Sequence, residues 1–434
     1  MFDLQTIIAF VPLLAIMIVV HELGHFWAAV AVGIRVETFS IGFGPRLFGF
    51  RRGDTDFRLS LIPLGGYVRM LGDQPGDENA VDPASFQAKA RWQRAIVIMA
   101  GPLMNIVLAV VIVTGLFMYK FPKVDESGPA VITEIEKGSA AEQAGLQVGD
   151  RILKFGTQTN PKWEYLSNQE KLNGNHAMDV VVQRNGQRLN LSVTPRIDPK
   201  EGVGTIGWDY LNIEVGEIEP NSPAQTAGLK AGDIFVSMNG QDVAATSVVQ
   251  DAVAHSGGKP IDVQIKRAGQ MQHLSVTPIK MGNGRYHIGV SYGEVLPFPV
   301  EIVKLSFPEA LTQSVRKNYE DTSLIFQTLG SILQRRVSAK SMTGPVGLAR
   351  NSREAAKRGP YEYLGFMSFV SLNLAIFNLL PIPILDGGTL LLLLIEMLLQ
   401  REVSMSIKET FLKLGFVLLM MVVVFVLYND LTRS

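Results

Sequence analysis

Four long apolar segments dominate the 434-residue sequence and limit what it can fold into. They are residues 7–32, 95–119, 363–385 and 411–428, the last interrupted only by Lys413. An α-helix needs about 20 apolar residues to cross a bilayer, and each segment approaches or exceeds that length. The sequence therefore predicts a multi-pass α-helical membrane protein with four transmembrane segments.

The first apolar segment contains the ionisable motif His-Glu-Leu-Gly-His at residues 21–25. A helix places residues four apart on one face, so His21 and His25 can both direct a ring nitrogen at one Zn²⁺. Glu22 lies beside the first histidine, where it can act as general base toward water at the metal. Ionisable groups within a membrane span are costly and usually functional. A histidine pair at the membrane interface, without a metal, is the alternative.

A zinc protease needs a third protein ligand, and Asp386 is the best candidate. It follows the third apolar segment in the run Asn378-Leu-Leu-Pro-Ile-Pro-Ile-Leu-Asp-Gly-Gly. The two prolines interrupt the helix, and the glycines allow close backbone approach. His21 lies about 14 residues into its span, ~21 Å at 1.5 Å per residue. Asp386 would reach the same half of the bilayer if the two helices run the same way. The alternative is an aspartate that caps a turn at a helix break.

Together these motifs resemble the site-2 protease family of intramembrane zinc metalloproteases. Further matching segments are Gly-Phe-Gly-Pro at 42–45, Ile-Pro-Leu-Gly-Gly-Tyr-Val at 62–68 and Ala-Gly-Pro-Leu-Met-Asn at 100–105. The resemblance covers nearly the whole chain. It implies that Asn378, in a motif with Pro381, orients the substrate backbone or stabilises the oxyanion. One departure is Thr389, where many members have histidine, which puts a supporting role for that side chain in doubt.

The loop after the first span contains two alternating segments, residues 57–62 and 67–71, around Pro-Leu-Gly-Gly at 63–66. This pattern predicts a β-hairpin with a glycine turn. The resemblance suggests that the hairpin dips into the membrane beside the zinc, with Gly65, Gly66 and Tyr67 in substrate binding. A strand edge can pair with the backbone of an unwound substrate helix by β-augmentation. A hairpin with only a structural role is the alternative.

Basic residues predict the orientation of the chain in the membrane. Those between the first two spans are Arg35, Arg46, Arg51, Arg52, Arg58, Arg69, Lys89, Arg91 and Arg94. The positive-inside rule makes this loop cytoplasmic and puts both termini and residues 120–362 outside. Both halves of the zinc site then lie toward the cytoplasmic face. The first six residues lack the basic start of a cleaved signal peptide, so the first segment is expected to be a retained span.

The large external insert contains an internal repeat with a period of 83 residues. Ser139-Ala-Ala, Ala144-Gly-Leu and Gly149-Asp recur as Ser222-Pro-Ala, Ala227-Gly-Leu and Gly232-Asp. The repeats resemble tandem PDZ domains, covering 124–208 and 209–293. By that resemblance the carboxylate-binding loops are Ile206-Gly207-Trp208 and Ile288-Gly289-Val290. Two roles remain open for the pair: binding a peptide end, or filtering substrates by size above the active site.

The remaining segments complete the predicted domain order. Residues 1–123 hold the first two spans, and residues 363–434 hold the last two with Asp386. Between the repeat and the third span, residues 294–362 are predicted to form an amphipathic interfacial helix from Pro308 to Leu333, followed by a loop containing residues 341–347. A solvated helix with no functional part is the alternative. The chain has no cysteine, which excludes disulfides and cysteine nucleophiles, and its zero net charge gives no indication of nucleic acid binding.

Two function classes follow. The favoured one is a protease with one Zn²⁺ that hydrolyses peptide bonds within transmembrane segments. The alternative is a membrane-bound PDZ adaptor with a vestigial or structural metal site, which would have no use for Glu22. A transporter is less favoured, because the four spans show no inverted repeat. The resemblance implies a location in the bacterial inner membrane, among its lipids, and single-pass substrates: an anti-sigma factor trimmed by another protease, in sigma-E stress signalling, and leftover signal peptides.

Overall fold

The computed structural model describes residues 3–73, 81–124, 130–209, 212–243, 246–267, 270–282, 284–295 and 300–432. Its α-helices, in chain order, are α1 (Leu4–Ala31), α2 (Arg91–Tyr119), α3 (Ala140–Gln143), α4 (Trp163–Leu172), α5 (Pro223–Thr226), α6 (Thr246–Ala254), α7 (Phe307–Leu333), α8 (Pro345–Arg358), α9 (Pro360–Leu379), α10 (Asp386–Leu399) and α11 (Met405–Thr432).

The strands, in the same order, are β1 (Val36–Arg52), β2 (Thr55–Met70), β3 (Phe121–Val124), β4 (Glu134–Ile135), β5 (Arg151–Phe155), β6 (Gln158–Thr159), β7 (Met178–Arg184), β8 (Gln187–Val193), β9 (Arg196–Ile197), β10 (Gly204–Thr205), β11 (Trp208–Asp209), β12 (Asn212–Ile218), β13 (Ile234–Met238), β14 (Gln241–Asp242), β15 (Ile261–Arg267), β16 (Gln270–Val276), β17 (Ile279–Lys280), β18 (Tyr286–His287), β19 (Val290–Val295) and β20 (Val300–Val303).

The chain divides into two compact units. The first comprises residues 1–121, 303–329 and 342–434, and the second comprises 122–302 and 330–341. Within the described residues of the first unit, α1, α2, α9 and α11 are long and apolar enough to cross a membrane, which confirms the four predicted spans. Helix α1 packs on α2 at Gly24, where a Cβ would overlap the carbonyl of Ala100. That close approach requires glycine, because any side chain would force the two backbones apart.

The third span ends earlier than predicted. Helix α9 stops at Leu379 and α10 begins at Asp386, so the residues between them connect two separate helices. Pro381 and Pro383 cannot donate backbone hydrogen bonds, and this interrupts the helix. A Cβ on Gly387 or Gly388 would overlap backbone carbonyls of this connection, so both positions require glycine. The consequence is that Asp386 lies in the first turn of its own helix rather than at the end of a long span.

The β-hairpin exists, but the predicted turn was wrong. Strands β1 and β2 pair antiparallel and are connected at Gly53 and Asp54, whereas residues 63–66 lie within β2. Residues 38–41 of β1 have partners on both sides, 56–59 and 66–69 of β2, so each long strand contributes two segments to one sheet. Gly53 has φ of +60°, which suits the tight turn. The glycines at 65 and 66 serve close packing rather than chain reversal.

The second unit contains two similar modules. One sheet has the order β6-β5-β7-β8, and the other has the order β16-β15-β13-β12-β19 with β14 beside β13. In the first module Arg184 pairs with the buried Asp150 at 2.7 Å, and in the second Arg267 pairs with the buried Asp233 at 2.6 Å. These pairs are 83 positions apart along the chain, the period of the sequence repeat. Each module has its own buried apolar cluster, so the repeat is structural as well as sequential.

Helix α8 was not predicted. The segment around residues 341–347 was expected to be a loop, and the structure instead begins a 14-residue helix there. Pro345 suits the first helical turn, where its missing N–H has no partner to lose. The carboxylate of Asp430 on α11 accepts hydrogen bonds from the N–H groups of Gly344, Val346 and Gly347 at 3.0, 3.0 and 2.9 Å. The cap comes from a residue more than 80 positions away, which is why local sequence did not reveal it.

Candidate metal centre

The structure brings His21 and His25 of α1 together with Asp386 of α10. The Nε2 atoms of the two histidines lie 3.2 Å apart. Oδ2 of Asp386 lies 3.2 Å from Nε2 of His21 and 3.5 Å from Nε2 of His25. Both histidines are buried, each with 9% of its surface exposed. Three potential ligand atoms therefore converge on one point inside the first unit.

These three atoms fit a zinc ion. With bonds of about 2.0–2.1 Å, neighbouring ligand atoms of a tetrahedral Zn²⁺ lie about 3.3–3.4 Å apart, close to the three distances above. Oδ2 of Asp386 is shielded from solvent and has no hydrogen-bond partner among the described residues. A buried carboxylate oxygen in that state is costly unless a cation is present. Two imidazoles and one carboxylate also form a donor set that zinc enzymes use, with one position left for water.

Two further groups hold the histidine rings. Nδ1 of His25 lies 2.8 Å from the carbonyl of Val97 on α2, so it carries the proton and donates it to that oxygen. The lone pair of His25 is then on Nε2, which faces the other two groups. On His21, Nδ1 lies 3.5 Å from the side-chain amide of Asn105, which is fully buried. Metal-ligating histidines usually have such a partner on the other ring nitrogen, because it orients the ring.

Glu22 lies next to the edge of strand β2. Its carboxylate accepts a hydrogen bond from the N–H of Val68. Gly66 packs directly on it, since a Cβ there would lie 3.0 Å from Cγ of Glu22 and 2.9 Å from Cγ2 of Ile18. Residues 66–69 pair on one side with residues 38–41, and the described residues form no further strand beside them. The edge of the hairpin sheet therefore borders the acidic side chain.

A cavity of about 420 Å³ opens beside these groups. It is lined by His21, Glu22, His25, Gly66, Tyr67, Val68, Met70, Asp73, Phe86, Val97, Ile98, Asp386 and Thr389. Its wall combines the converging histidines and carboxylates with one strand edge and apolar side chains. A peptide segment placed there would have its backbone beside both Glu22 and the free edge of β2.

Only some of the other predicted site residues lie at the cavity. Gly66, Tyr67 and Thr389 line the cavity, whereas Gly65, Asn378 and Pro381 are not among its lining residues. Gly65 has φ of +118° and lies against the ring of Phe43, so it makes room for packing within the sheet. Asn378 is half-buried in the last turn of α9, and Pro381 is exposed in the connection that follows. The two loops at 206–208 and 288–290 belong to the second unit.

Sequence reasoning missed two residues of α2 that contact the histidines. Asn105 and Gly101 were noted only as part of a matching motif. A Cβ on Gly101 would overlap Nε2 of His25, so only glycine lets the ring lie against α2. Asn105 carries a detectable signal, because a polar amide in an apolar span is costly and usually has a function. The carbonyl of Val97 carries no signal in a sequence.

Comparison with known proteins gives a consistent family assignment. The profile of peptidase family M50 matches residues 9–422. The chain is 32% identical over 453 residues to a putative zinc metalloprotease of Vibrio cholerae, covering 99% of both chains. It is 33% identical over 460 residues to the regulator of sigma-E protease of Salmonella typhimurium, covering 99% of both, and 32% identical over 452 residues to that of Escherichia coli, covering 98% of both.

A solved PDZ domain of an SdrC-like protein from Listeria monocytogenes also matches, at 17% identity, covering 19% of this chain and 90% of its own, with a TM-score of 0.18. A TM-score of that size does not establish a shared fold. The family profile covers nearly the whole chain and the three relatives cover 98–99% of it, and the favoured function class is thereby confirmed over an adaptor. The chain belongs to peptidase family M50, and it is an intramembrane zinc metalloprotease of the site-2 type.

Proposed function

We propose that this protein hydrolyses peptide bonds within transmembrane segments of single-pass membrane proteins, with one Zn²⁺ held by His21, His25 and Asp386 and with Glu22 as general base. The observation that carries the proposal is the convergence of three ligand atoms, 3.2–3.5 Å apart, in a cavity that Glu22 also lines. The test is incubation of the purified protein with a single-span substrate, with and without a zinc chelator. Cleavage that persists after complete removal of zinc would contradict the proposal.

When bound, the metal supplies Lewis-acid activation of water and of the scissile carbonyl. The chain supplies the proton transfers and the orientation. The Glu22 carboxylate accepts a proton from the attacking water and returns it to the leaving amine. The N–H of Val68 holds that carboxylate in place. The carbonyl of Val97 keeps the proton of His25 on Nδ1.

Asn105 is proposed to hold the proton of His21 on Nδ1, as the carbonyl of Val97 does for His25. As placed, its NH₂ group faces Nδ1 of His21, and its Oδ1 is buried without a partner among the described residues. The nitrogen and oxygen of an amide are assigned from hydrogen-bond networks, and rotation by 180° exchanges them. The rotated amide would accept the Nδ1 proton of His21 and leave Nε2 free for the metal. We assign Asn105 this positioning role.

The strand edge at residues 66–69 is proposed to receive the substrate. A transmembrane helix satisfies its peptide groups internally, so cleavage requires local unwinding and new partners for those groups. The edge of β2 offers them beside Glu22, by β-augmentation. Gly66 and Tyr67 line the cavity, which supports their part in binding. The roles of Gly65, Asn378 and Pro381 stay predictions: Asn378 would orient the unwound backbone or stabilise the oxyanion.

Replacing Gly101 by alanine is expected to weaken zinc binding about 10- to 100-fold, as loss of a supporting contact typically does. The added methyl would overlap Nε2 of His25 and push the ring out of position. Gly115→Ala is the matched control, because it lies on the same helix with open space around it. Zinc affinity measured by chelator competition should fall only in the first variant. Equal affinities would show that the ring is not held at this contact.

The second unit is proposed to be two PDZ domains, at residues 124–208 and 209–293, facing the outside of a bacterial inner membrane. The basic loop between the first two spans supports this orientation through the positive-inside rule. Two curated relatives are named for regulation of sigma-E. We therefore propose that this chain acts in a sigma-E pathway, on an anti-sigma factor trimmed beforehand by another protease, and that it also clears remnant signal peptides.

Deleting residues 124–293 is expected to permit cleavage of an untrimmed substrate, while the rate on a trimmed substrate stays similar within severalfold. The reason is steric: two globular modules exclude a bulky external domain even if they bind peptides weakly. Recruitment by peptide ends predicts the opposite sign, namely loss of cleavage on deletion and on amidation of the substrate's carboxyl end. Cleavage assays on both substrates decide between them. A folded, zinc-loaded deletion variant that cleaves neither substrate would contradict the size filter.

A further inference from the structure

A half-buried acid of the first module binds the backbone of the loop at 206–208. Glu170 lies on α4, and its carboxylate accepts hydrogen bonds from the N–H of Ile206 and from the indole N–H of Trp208. Its Oε2 is shielded from solvent and has no hydrogen-bond partner among the described residues. A carboxylate oxygen that is shielded from water is rarely left without a partner, so this position calls for an explanation.

The loop itself is built to bind an anion. The N–H groups of Ala141 and Glu136 donate to the carbonyls of Ile206 and Gly207, each at 2.9 Å. Gly207 has φ of +75°, and a Cβ there would overlap Ser139, so the loop adopts a conformation that only glycine permits. Successive backbone N–H groups around such a glycine form a concave site for a carboxylate. Capture of a peptide's carboxyl end in such a backbone site is a recurring recognition mode.

The second module has the same loop but a different residue opposite it. The N–H groups of Ala224 and Glu219 donate to Ile288 and Gly289 at 2.9 Å, and Gly289 has φ of +72°. At the position 83 residues after Glu170 the second module has Val253, which is buried in its apolar core. The N–H of Gly289 donates instead to Nδ1 of His287 at 3.1 Å. An acid opposite the loop is therefore a property of the first module and not of the shared frame.

We propose that Glu170 is an internal ligand of the loop at 206–208, occupying the place of a peptide's carboxyl end and closing the first module to peptides while its carboxylate is ionised. This inference rests on the proposed assignment of the second unit as PDZ modules. An incoming carboxylate would compete with Glu170 for the N–H of Ile206 and would be repelled by its charge. Neutralising Glu170 removes the repulsion and weakens its hydrogen bond to that N–H, and displacing it removes both obstacles, so the two modules would accept chain ends under different conditions.

Burial and the neighbouring groups set the pH at which the loop would bind a peptide end. The pKa of Glu170 is raised to about 7, mainly by burial, and the charge of Asp209 contributes to the increase. The N–H of Ile206, the indole of Trp208 and the charge of Lys171 oppose the increase. Arg336, on the neighbouring segment, is bonded to Asn173 at 3.0 Å. Since an acid is neutral below its pKa, affinity for a free carboxyl end should increase as pH falls from 8 to 6, by about tenfold for this pKa.

The test uses the full-length protein in detergent and a short apolar peptide with a photoreactive last residue, in free-carboxyl and amidated forms. Crosslinks mapped by mass spectrometry distinguish the loop at 206–208 from that at 288–290. Wild type should label the first loop about tenfold more strongly at pH 6 than at pH 8. Glu170→Gln and Glu170→Val should label it strongly at both pH values, and the amidated peptide should not. Glu164→Gln, which removes an exposed acid from the same helix, should behave as wild type.

A second measurement reports on Glu170 without any peptide. Because Trp208 contacts the carboxylate, its fluorescence should titrate with a midpoint near pH 7, and this transition should be absent from Glu170→Gln. Equal labelling of the first loop in wild type and both Glu170 variants would overturn the proposal, as would a wild-type fluorescence titration that survives in Glu170→Gln. Hydrolysis of a single-span substrate, assayed in parallel, tests the protease assignment separately, since Glu170 has no part in the zinc site.

Discussion

Replacing Glu22 by glutamine should reduce proteolysis by about 10²- to 10⁴-fold, the usual contribution of a general base. Glutamine has nearly the same shape and can still accept the hydrogen bond from the N–H of Val68. It cannot, however, take a proton from water. Because Glu22 is not one of the three converging ligands, zinc should remain bound at one ion per chain. Turnover of a single-span substrate and metal content, measured on the same preparation, check both halves of this expectation.

A glutamine variant that loses zinc would show that residue 22 holds the metal and would overturn its assignment as base. Glu22→Asp is a useful companion, since it keeps the carboxylate but shortens its reach. Partial activity in the aspartate variant, with none in the glutamine variant, would connect the rate to the carboxylate itself. Equal loss in both would instead indicate that position matters as much as charge, because Gly66 packs directly on this side chain.

Replacing Asp386 by alanine should remove zinc and activity together. One of three protein ligands is lost, and the two histidine nitrogens left 3.2 Å apart cannot hold the ion as tightly. The decrease in affinity should exceed the about 10- to 100-fold that follows loss of a merely supporting residue. Asp73→Asn is the matched control, because it neutralises another acid that lines the same cavity. Chelator competition and turnover, measured for both variants, provide the comparison.

An Asp386→Ala protein that keeps stoichiometric zinc and normal turnover would require a different third ligand. Among the described residues the structure offers no second cluster of three metal-binding side chains. Glu22 is another carboxylate that lines the same cavity. Retained zinc with lost turnover would suggest that Glu22 had moved onto the metal, and the double variant Glu22→Gln, Asp386→Ala would then be expected to lose it.

The sequence determined the spans and predicted most of the candidate zinc site, because both depend on local chemistry. A hydrocarbon core requires helices of a minimum apolar length, so counting residues was enough to locate four of them. The pairing of His21 with His25 follows from helical spacing, and Glu22 from its place beside them. Asp386 could be proposed as the third ligand although it is distant in sequence, since a lone carboxylate after a helix break in an apolar segment is costly without a cation.

Other features were decided only by tertiary structure. The hairpin turns at Gly53 and not at residues 63–66, where the sequence had predicted it. Pairing along both long strands outweighs the local preference of glycine for turns. Helix α8 begins where a loop was predicted, since Asp430 caps it from another helix. The supporting roles of Gly101 and Asn105 depend on how α2 packs against α1. Glu170 reads in the sequence as an ordinary polar helix residue, and only the fold of its module places it against Ile206.

One physical cause separates the features that the sequence determined from those that only the tertiary structure decided. Helix length, the spacing of side chains on a helix and the cost of a buried charge are properties of neighbouring residues and their solvent. Strand register, distant caps and the contacts of Glu170 are set by segments that meet only after folding. Their energies are individually small, and a sequence read on its own gives no account of which segments will meet. For this protein, the pattern of the candidate metal ligands was therefore local, and the contacts that hold them were not.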